Sequence, residues 1–110
     1  MLQMFFLLAI GHAVADFGLQ NDFLAIAKSR HDRIYNGENI WFWVLGAHSL
    51  IHAGAVYIVT GSALLALCEL IAHFAVDFAK CENWFSFHVD QLLHYSCKVL
   101  WITLIFHGIW

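Results

Sequence analysis

Residues 69–94 have the sequence ELIAHFAVDFAKCENWFSFHVDQLLH, with one polar pair on each side of a short polar turn. His73 precedes Asp77 by four residues, and Asp90 precedes His94 by four. Residues four apart share one face of an α-helix. An antiparallel helical hairpin would therefore place Asp77 level with Asp90 and His73 level with His94. The stretch predicts two helices that each offer a carboxylate and an imidazole at matched heights.

The composition of the chain is that of an integral membrane protein. Of its 110 residues, 62% are hydrophobic and only 12% are charged, and the mean hydropathy is +0.72. Soluble domains carry about 25% charged residues. Five Lys and Arg residues and a formal net charge of −3 leave no basic surface, so no nucleic-acid partner is expected. The three cysteines form no CxxC pair and are expected to be free thiols.

Four apolar segments of about 20 residues are each long enough to cross about 30 Å of hydrocarbon. We expect an all-α fold, an integral membrane four-helix bundle, in a single transmembrane domain over residues 1–110. Its helices should span about 2–26, 40–60, 62–81 and 86–110. The 27–39 loop holds three of the five basic residues, so the positive-inside rule places it in the cytoplasm. The expected partners are the lipid bilayer and further copies of the chain in a homo-oligomer.

The other two helices carry similar pairs. His12 and Asp16 lie on the first helix, and His48 and His52 lie on the second. In an up-and-down bundle the eight residues should form two layers. The layer nearer the cytoplasm would contain Asp16, His48, Asp77 and Asp90, and the deeper layer would contain His12, His52, His73 and His94.

Burial of three aspartates at membrane depth would cost several kcal/mol each without a counter-charge. Only Lys80 and Lys98 are expected near helix ends, and they are too few to neutralise the carboxylates. One or two divalent metal ions would do so and would also account for the histidines. Zinc is the first choice, although iron, manganese and nickel also accept imidazole and carboxylate ligands. The alternative is a structural polar network or a proton relay without metal.

Several neighbouring residues have more than one interpretation. Gln20 and Gln91 could orient a substrate or hold the metal ligands. Glu69 is either a lumen-facing or snorkelling acid near the far interface, or else a general base or an extra metal ligand, and Lys98 could pair with it. Lys80 either marks the cytoplasmic edge or holds a phosphate group.

These motifs together resemble a family of small bacterial and phage membrane proteins known as domain of unknown function 3307. The motifs that carry the resemblance are HAVADFGLQND at 12–22, Lys28, HSLIH at 48–52, HFAVDFAK at 73–80 and DQLLH at 90–94. The resemblance implies an integral membrane protein of bacterial or phage origin, located in the bacterial inner membrane with the 27–39 loop in the cytoplasm, and it supplies no activity. The two His-x-x-x-Asp pairs also resemble, more weakly, those of membrane-bound metal-dependent hydrolases. The same spacing occurs in zinc-dependent phospholipase C and the S1/P1 nucleases.

Our main hypothesis is a membrane-embedded metal-dependent hydrolase that acts on a phosphoester or lipid-linked substrate. The expected metal ligands are His12, Asp16, His48, His52, His73, Asp77, Asp90 and His94. The expected catalytic residues are Asp16, Asp77, Asp90 and Gln20. The alternative is a small membrane protein without enzymatic activity that binds metal or protons, for transport or for interaction with host membrane proteins.

Overall fold

Five α-helices account for most of the chain. In the computed structural model they span Leu2–Ala13 (α1), Asp22–Ala27 (α2), Trp41–Thr60 (α3), Ala63–Cys81 (α4) and Phe87–Phe106 (α5). A π-helical turn, Val14–Gly18, extends α1, and a 3₁₀ turn covers Asn36–Glu38. The structure describes residues 1–110, except for the side chain of residue 36. No strand occurs in this described part, so the all-α class is confirmed.

The four long helices form an up-and-down bundle. α1 contacts α3 and α5, and α4 also contacts α3 and α5, so the helices close into a ring. The molecule measures 45 × 24 × 22 Å, with the helices along its length. α1 and α3 approach closely at Gly11, where an added Cβ would lie only 3.2 Å from the Cβ of Ala55. The arrangement directs one face of each long helix toward a shared interior.

Short turns with defined capping residues connect α3 to α4 and α4 to α5. Gly61 ends α3 with a φ of +70°, a left-handed conformation that favours glycine. The Ser62 side chain then accepts a hydrogen bond from the Leu65 N–H at 3.2 Å, and Ser86 caps α5 in the same way. Such N-caps stabilise a helix by about 1 kcal/mol each. α3 and α4 begin and end within one residue of the positions expected from the sequence.

The expectation of one continuous first helix over 2–26 is wrong. The chain leaves the helix after Gly18, and Asn21 has extended backbone with φ −84° and ψ 177°. The Asn21 side chain accepts a hydrogen bond from the Leu24 N–H at 2.9 Å and so starts the separate helix α2. α2 packs against α3 and leads to Lys28. The last helix also ends earlier than expected, at Phe106, because Gly108 adopts a φ of +73°.

The length and composition of the described helices support a membrane span in one helix. Among the described residues, only α3 is both long and apolar enough to cross a membrane. Leu2–Gly18 is apolar but shorter. α4 and α5 have 19 and 20 residues, yet both carry ionisable side chains on their inner faces. The four expected spans therefore stay a prediction.

Polar and apolar residues are distributed in an unusual way. Among the side chains that the structure describes, twelve polar or charged ones are buried, against eleven hydrophobic ones. Large apolar side chains instead cover the outside, where Ile58 is 84% exposed and Trp43 is 77% exposed. Five of the buried apolar residues form a core at the end of the bundle away from the 27–39 loop, namely Leu8, Val56, Leu65, Trp101 and Ile102. The interior is therefore polar at the loop side and apolar at the far side.

Candidate metal centre

The four long helices, with the π-helical turn after α1, bring all eight expected ligand residues into one buried cluster. We call this set the His/Asp cluster: His12, Asp16, His48, His52, His73, Asp77, Asp90 and His94. Seven of the eight are buried, and the side chain of Asp16 is 10% exposed. None of the histidines in the cluster points outward, as the convergence of the polar helix faces requires.

Asp16 is the centre of the first group of potential ligand atoms. Its Oδ1 lies 3.3 Å from Nε2 of His48 and 3.3 Å from Nε2 of His52. His73 completes the group, and the four residues offer ligand atoms within 4.8 Å of one another. Three imidazoles and one carboxylate are a donor set that suits zinc.

Asp77, Asp90 and His94 form a second group within the same 4.8 Å limit. His94 Nε2 lies 3.3 Å from Oδ1 of Asp90. Asp77 Oδ2 connects this group to the first, because it lies 3.5 Å from Nε2 of His48. A carboxylate between two sets of donors is the arrangement in which an aspartate bridges two metal ions.

The two groups do not follow the two layers expected from the sequence. Each group combines two residues of the shallow layer with one or two residues of the deep layer. The imidazole rings of His52 and His73 stack at a centroid distance of 3.6 Å, and those of His73 and His94 stack at 4.2 Å. This stack crosses the bundle from α3 to α5, so the donors are arranged side by side across the interior.

Many polar atoms of the cluster have no hydrogen-bond partner. Among the described side chains, these buried orphaned atoms are Nδ1 of His12, both ring nitrogens of His48, His52 and His73, Oδ1 of Asp90 and Nε2 of His94. Several of them approach a carboxylate oxygen at 3.3–3.9 Å, but without the direction of a hydrogen bond. A buried polar group without a partner costs about 1–3 kcal/mol. Atoms that converge without bonding to one another fit a common cation better than a hydrogen-bonded network.

His12 differs from the other histidines of the cluster. It belongs to neither group of ligand atoms, and its Nε2 hydrogen-bonds Oε1 of Gln91 at 3.1 Å. Gln91 Nε2 in turn donates to Oδ2 of Asp16 at 2.8 Å and to Oδ2 of Asp90 at 3.2 Å. Gln91 thus holds two carboxylates in place from outside, as expected for a residue that orients metal ligands. Like Gln91, His12 lies beside the two groups of ligand atoms and is not a member of either.

Lys28 is a component of the site that the sequence did not reveal. Its Nζ donates to Oδ2 of Asp77 at 2.8 Å and to Oε1 of Gln20 at 2.7 Å. The expectation that Lys80 and Lys98 are the only basic residues near helix ends is therefore wrong, because Lys28 caps the end of α2. The cause is the break after Gly18, which lets α2 carry Lys28 over the cluster. The Asn21-Asp22 pair is a typical helix start and could have indicated the break.

Gln20 lies in the break rather than one helical turn beyond Asp16. Its Nε2 donates to the Asp16 main-chain oxygen at 3.3 Å, and its Oε1 accepts from Lys28. Both ends of the side chain are therefore engaged by this part of the protein. The geometry gives Gln20 the role of holding Lys28 in place.

The loop after α2 is fastened to the end of α4. Arg30 donates twice to the Glu82 carboxylate, at 2.6 and 2.9 Å, and His31 Nε2 lies 3.0 Å from Oε2 of Glu82. The hydrogen bonds from Arg30 and His31 lower the pKa of Glu82 to about 2. Lys28 and Arg30 together hold the 27–39 loop over the loop-side end of the cluster.

Glu69 and Lys98 form a separate buried ion pair on the far side of the cluster. The Glu69 side chain is 1% exposed, so it faces the interior and does not snorkel to the far interface. Lys98 Nζ and Trp101 Nε1 both donate to its carboxylate, the latter at 2.6 Å. Glu69 Oε1 also lies 3.5 Å from Nδ1 of His73. The suggested pairing with Lys98 is confirmed, and Glu69 contacts the cluster only through His73.

Charge is not balanced in the interior. With neutral imidazoles, four carboxylates face the ammonium groups of Lys28 and Lys98, which leaves an excess of two negative charges. The carboxylates are those of Asp16, Glu69, Asp77 and Asp90. One divalent cation would neutralise this excess, and two would leave the site positive.

A family model described as a protein of unknown function, DUF3307, matches residues 4–109. The chain belongs to this DUF3307 family. The matched region contains the whole His/Asp cluster, as well as Lys28, Glu69 and Lys98. The family resemblance drawn from the sequence motifs is therefore confirmed.

No curated protein and no solved structure is significantly similar to this DUF3307 chain. The weaker similarity to zinc-dependent hydrolases consequently has no support beyond the two His-x-x-x-Asp pairs. Any function must be argued from the geometry of the cluster itself.

Proposed function

We propose that this DUF3307 protein is a membrane-embedded metal-dependent hydrolase with its metal in the His/Asp cluster. The observation that carries the proposal is the set of buried ring nitrogens and the buried Asp90 oxygen that have no hydrogen-bond partner. Nε2 atoms of this set lie 3.3–3.5 Å from carboxylate oxygens of the cluster. A structural network would satisfy such atoms with mutual hydrogen bonds. In a metal site, one nitrogen of each neutral imidazole would instead offer its lone pair to the cation.

Embedding in a bilayer is supported by the reversed distribution of polar and apolar residues. A folded protein in water rarely exposes large contiguous apolar surfaces. Here exposed apolar side chains occur on all four long helices, for example Phe6, Leu50, Ile71 and Leu100. Ionisable residues within a membrane face the bundle interior and mark functional sites, which is where the cluster lies. The basic 27–39 loop would then lie on the cytoplasmic side of the bacterial inner membrane.

The donor set and the charge excess limit the choice of metal. Imidazole and carboxylate ligands suit zinc, and also iron, manganese or nickel. Zinc fits best, because the first group supplies three nitrogens and one oxygen. The second group and the intervening Asp77 supply ligands for a second ion.

The proposed reaction is hydrolysis of a phosphoester or another lipid-linked ester. A divalent ion would lower the pKa of a coordinated water from 15.7 to about 7 and polarise the scissile group. In such a hydrolysis the oxygen of a water molecule would bond to phosphorus as the ester P–O bond broke, and a proton would pass from that water to the leaving oxygen. Asp90 can relay that proton, because its Oδ1 is buried and has no partner among the described side chains.

A transport function is the competing class, and the far end of the bundle argues against it. A conduit needs a polar path to both sides of a membrane. Beyond the Glu69–Lys98 pair, the interior is closed by the packed core of Leu8, Val56, Leu65, Trp101 and Ile102. Access from one side only favours an enzyme or a metal-binding protein over a channel formed by one chain.

Elemental analysis of detergent-purified protein, prepared without chelator, tests the proposal. The wild type should contain one or two equivalents of divalent metal, whereas His73→Ala and Asp90→Ala should lose most of it. His107→Ala is the matched control, because this exposed histidine lies outside the cluster, and it should retain the metal. A wild type without metal would refute the metal centre.

Release of a phosphorylated headgroup from mixed lipid vesicles then separates an enzyme from a binding protein. A hydrolase should lose turnover in both cluster variants and keep it in His107→Ala. If the wild type holds metal but releases no headgroup, and the cluster variants lose only thermal stability, the metal is structural.

A further inference from the structure

A small polar cavity of about 180 Å³ adjoins the His/Asp cluster on the loop side. We call it the loop-side cavity. Its charged lining consists of three aspartates and two lysines, namely Asp16, Asp77, Asp90, Lys28 and Lys80, and Gln20 and Gln91 also line it. The volume exceeds the roughly 30 Å³ that one water occupies in the liquid. The cavity connects the carboxylates of the cluster with two lysine ammonium groups.

Lys80 is the residue that gives the loop-side cavity its character. Unlike Lys28 and Lys98, it has no ion-pair or hydrogen-bond partner among the side chains that the structure describes. It follows Asp77 by three residues on α4, so both side chains reach the same cavity. A partly buried cation without a partner, beside a cation-binding cluster, points to an anionic ligand.

Lys28 provides a second cationic contact. Its buried ammonium group donates to Gln20 and Asp77 and has one further N–H, because an ammonium group has three donors. In the metal-free protein the three aspartates would repel an anion from the cavity. With metal bound, the excess of negative charge disappears, and the two lysines dominate the loop-side cavity.

We propose that the loop-side cavity is a subsite for a phosphate group, held by Lys80 and Lys28 next to the metal. Lysine and divalent metals are the common partners of phosphate oxygens in proteins. The inference rests on the proposed function, which it deepens by assigning the residues that select the substrate. Phosphate binding should therefore require metal, and by linkage phosphate should tighten metal binding by the same factor.

Calorimetric titration of inorganic phosphate into detergent-purified protein, zinc-loaded or stripped with chelator, tests the subsite. Phosphate should bind the zinc-loaded wild type and not the stripped protein. Lys80→Gln should weaken binding about tenfold, a change of about 1.4 kcal/mol, with zinc content and melting temperature unchanged. Lys80→Arg should largely restore phosphate binding. Arg33→Gln, which removes an exposed positive charge from the loop, should leave phosphate binding unchanged.

Each contrary outcome has a distinct meaning. Absence of zinc from the wild type refutes the metal centre. Zinc binding without phosphate binding, or phosphate binding that Lys80→Gln leaves unchanged, refutes the subsite alone. Equal affinity for sulfate refutes selection of phosphate. Competition with phosphate by glycerol 1-phosphate or by short-chain phosphatidic acid would support the subsite. The competitor that binds more tightly assigns the phosphate to a soluble ester or to a lipid headgroup.

Discussion

The bundle interior contains two buried polar regions that differ in how their atoms are satisfied. In the far region, the Glu69 carboxylate accepts hydrogen bonds from both Lys98 and Trp101. In the His/Asp cluster, most ring nitrogens have no hydrogen-bond partner among the described side chains. The far region borders a packed apolar core, and the cluster borders the loop-side cavity.

This difference separates a structural polar group from a functional one. A buried ion pair whose hydrogen bonds are complete can fix the register of neighbouring helices and needs no further ligand. A set of buried donors that is incomplete costs stability until a ligand binds, which is typical of sites built for function. We therefore assign the Glu69–Lys98 pair to the architecture and the His/Asp cluster to the chemistry.

The largest expected effect comes from the far region. Lys98→Met would leave the Glu69 carboxylate buried without its cation, and loss of one partner of a buried pair costs about 3–5 kcal/mol. We expect a loss of this size in the free energy of unfolding in detergent, with the metal content of the folded protein unchanged. The double variant Glu69→Gln/Lys98→Met should recover at least half of the loss. A variant that keeps its stability but loses metal would place the pair in the metal site instead.

A smaller effect is expected where the loop meets the cluster. Lys28→Met removes the hydrogen bonds to Asp77 and Gln20 and should cost about 1–3 kcal/mol in metal-free protein. The cost should shrink when zinc is bound, because the ion takes over neutralisation of Asp77. Denaturant unfolding of Lys28→Met, Asp77→Asn and the double variant, with and without zinc, measures this coupling. A coupling energy that zinc leaves unchanged would show that Asp77 does not share its charge with a metal.

The smallest effect should come from the surface, outside both buried regions. Glu82→Gln removes the carboxylate that Arg30 and His31 contact. Since the pKa of Glu82 is lowered to about 2 in the folded protein, its stabilising contribution is complete above the unfolded value of 4.5. The difference in melting temperature between wild type and Glu82→Gln should therefore diminish as the pH falls from 4.5 toward 2. It should also diminish with added salt, and a difference that persists at high salt would contradict a simple surface ion pair.

The sequence was sufficient to predict the helices with clear apolar runs and the convergence of their polar faces. α3 and α4 are delimited by Gly61 and Ser62, whose turn and capping preferences are strong local signals. The four-residue spacing within each polar pair fixes which side chains share a helix face. Any other orientation of the helices would leave these polar side chains in apolar surroundings. The sequence therefore predicted that the polar faces of the helices meet in one interior.

The grouping of the ligands could not be predicted in the same way. It depends on the axial offset and rotation between helices, which small contacts such as Gly11 against Ala55 determine. The position of Lys28 depends on the break at 19–21, where the apolar run continues into Phe23 and Ile26 and conceals the end of the helix. Local capping at Asn21 prevailed over the hydrophobic pattern.

The π-helical turn at Val14–Gly18 has a consequence for how the chain tolerates insertions and deletions. The turn is closed by the Leu19 N–H bonded to the Val14 carbonyl, five residues apart, so it accommodates one residue more than a regular α-helical turn. Loss of one residue after Asp16, at Phe17 or Gly18, would restore a regular α-helical turn and keep His12 and Asp16 four residues apart on one face. A single-codon deletion there should therefore preserve this pair. The same deletion in the middle of α4, which has no such extra residue, would rotate one half of that helix by about 100° relative to the other.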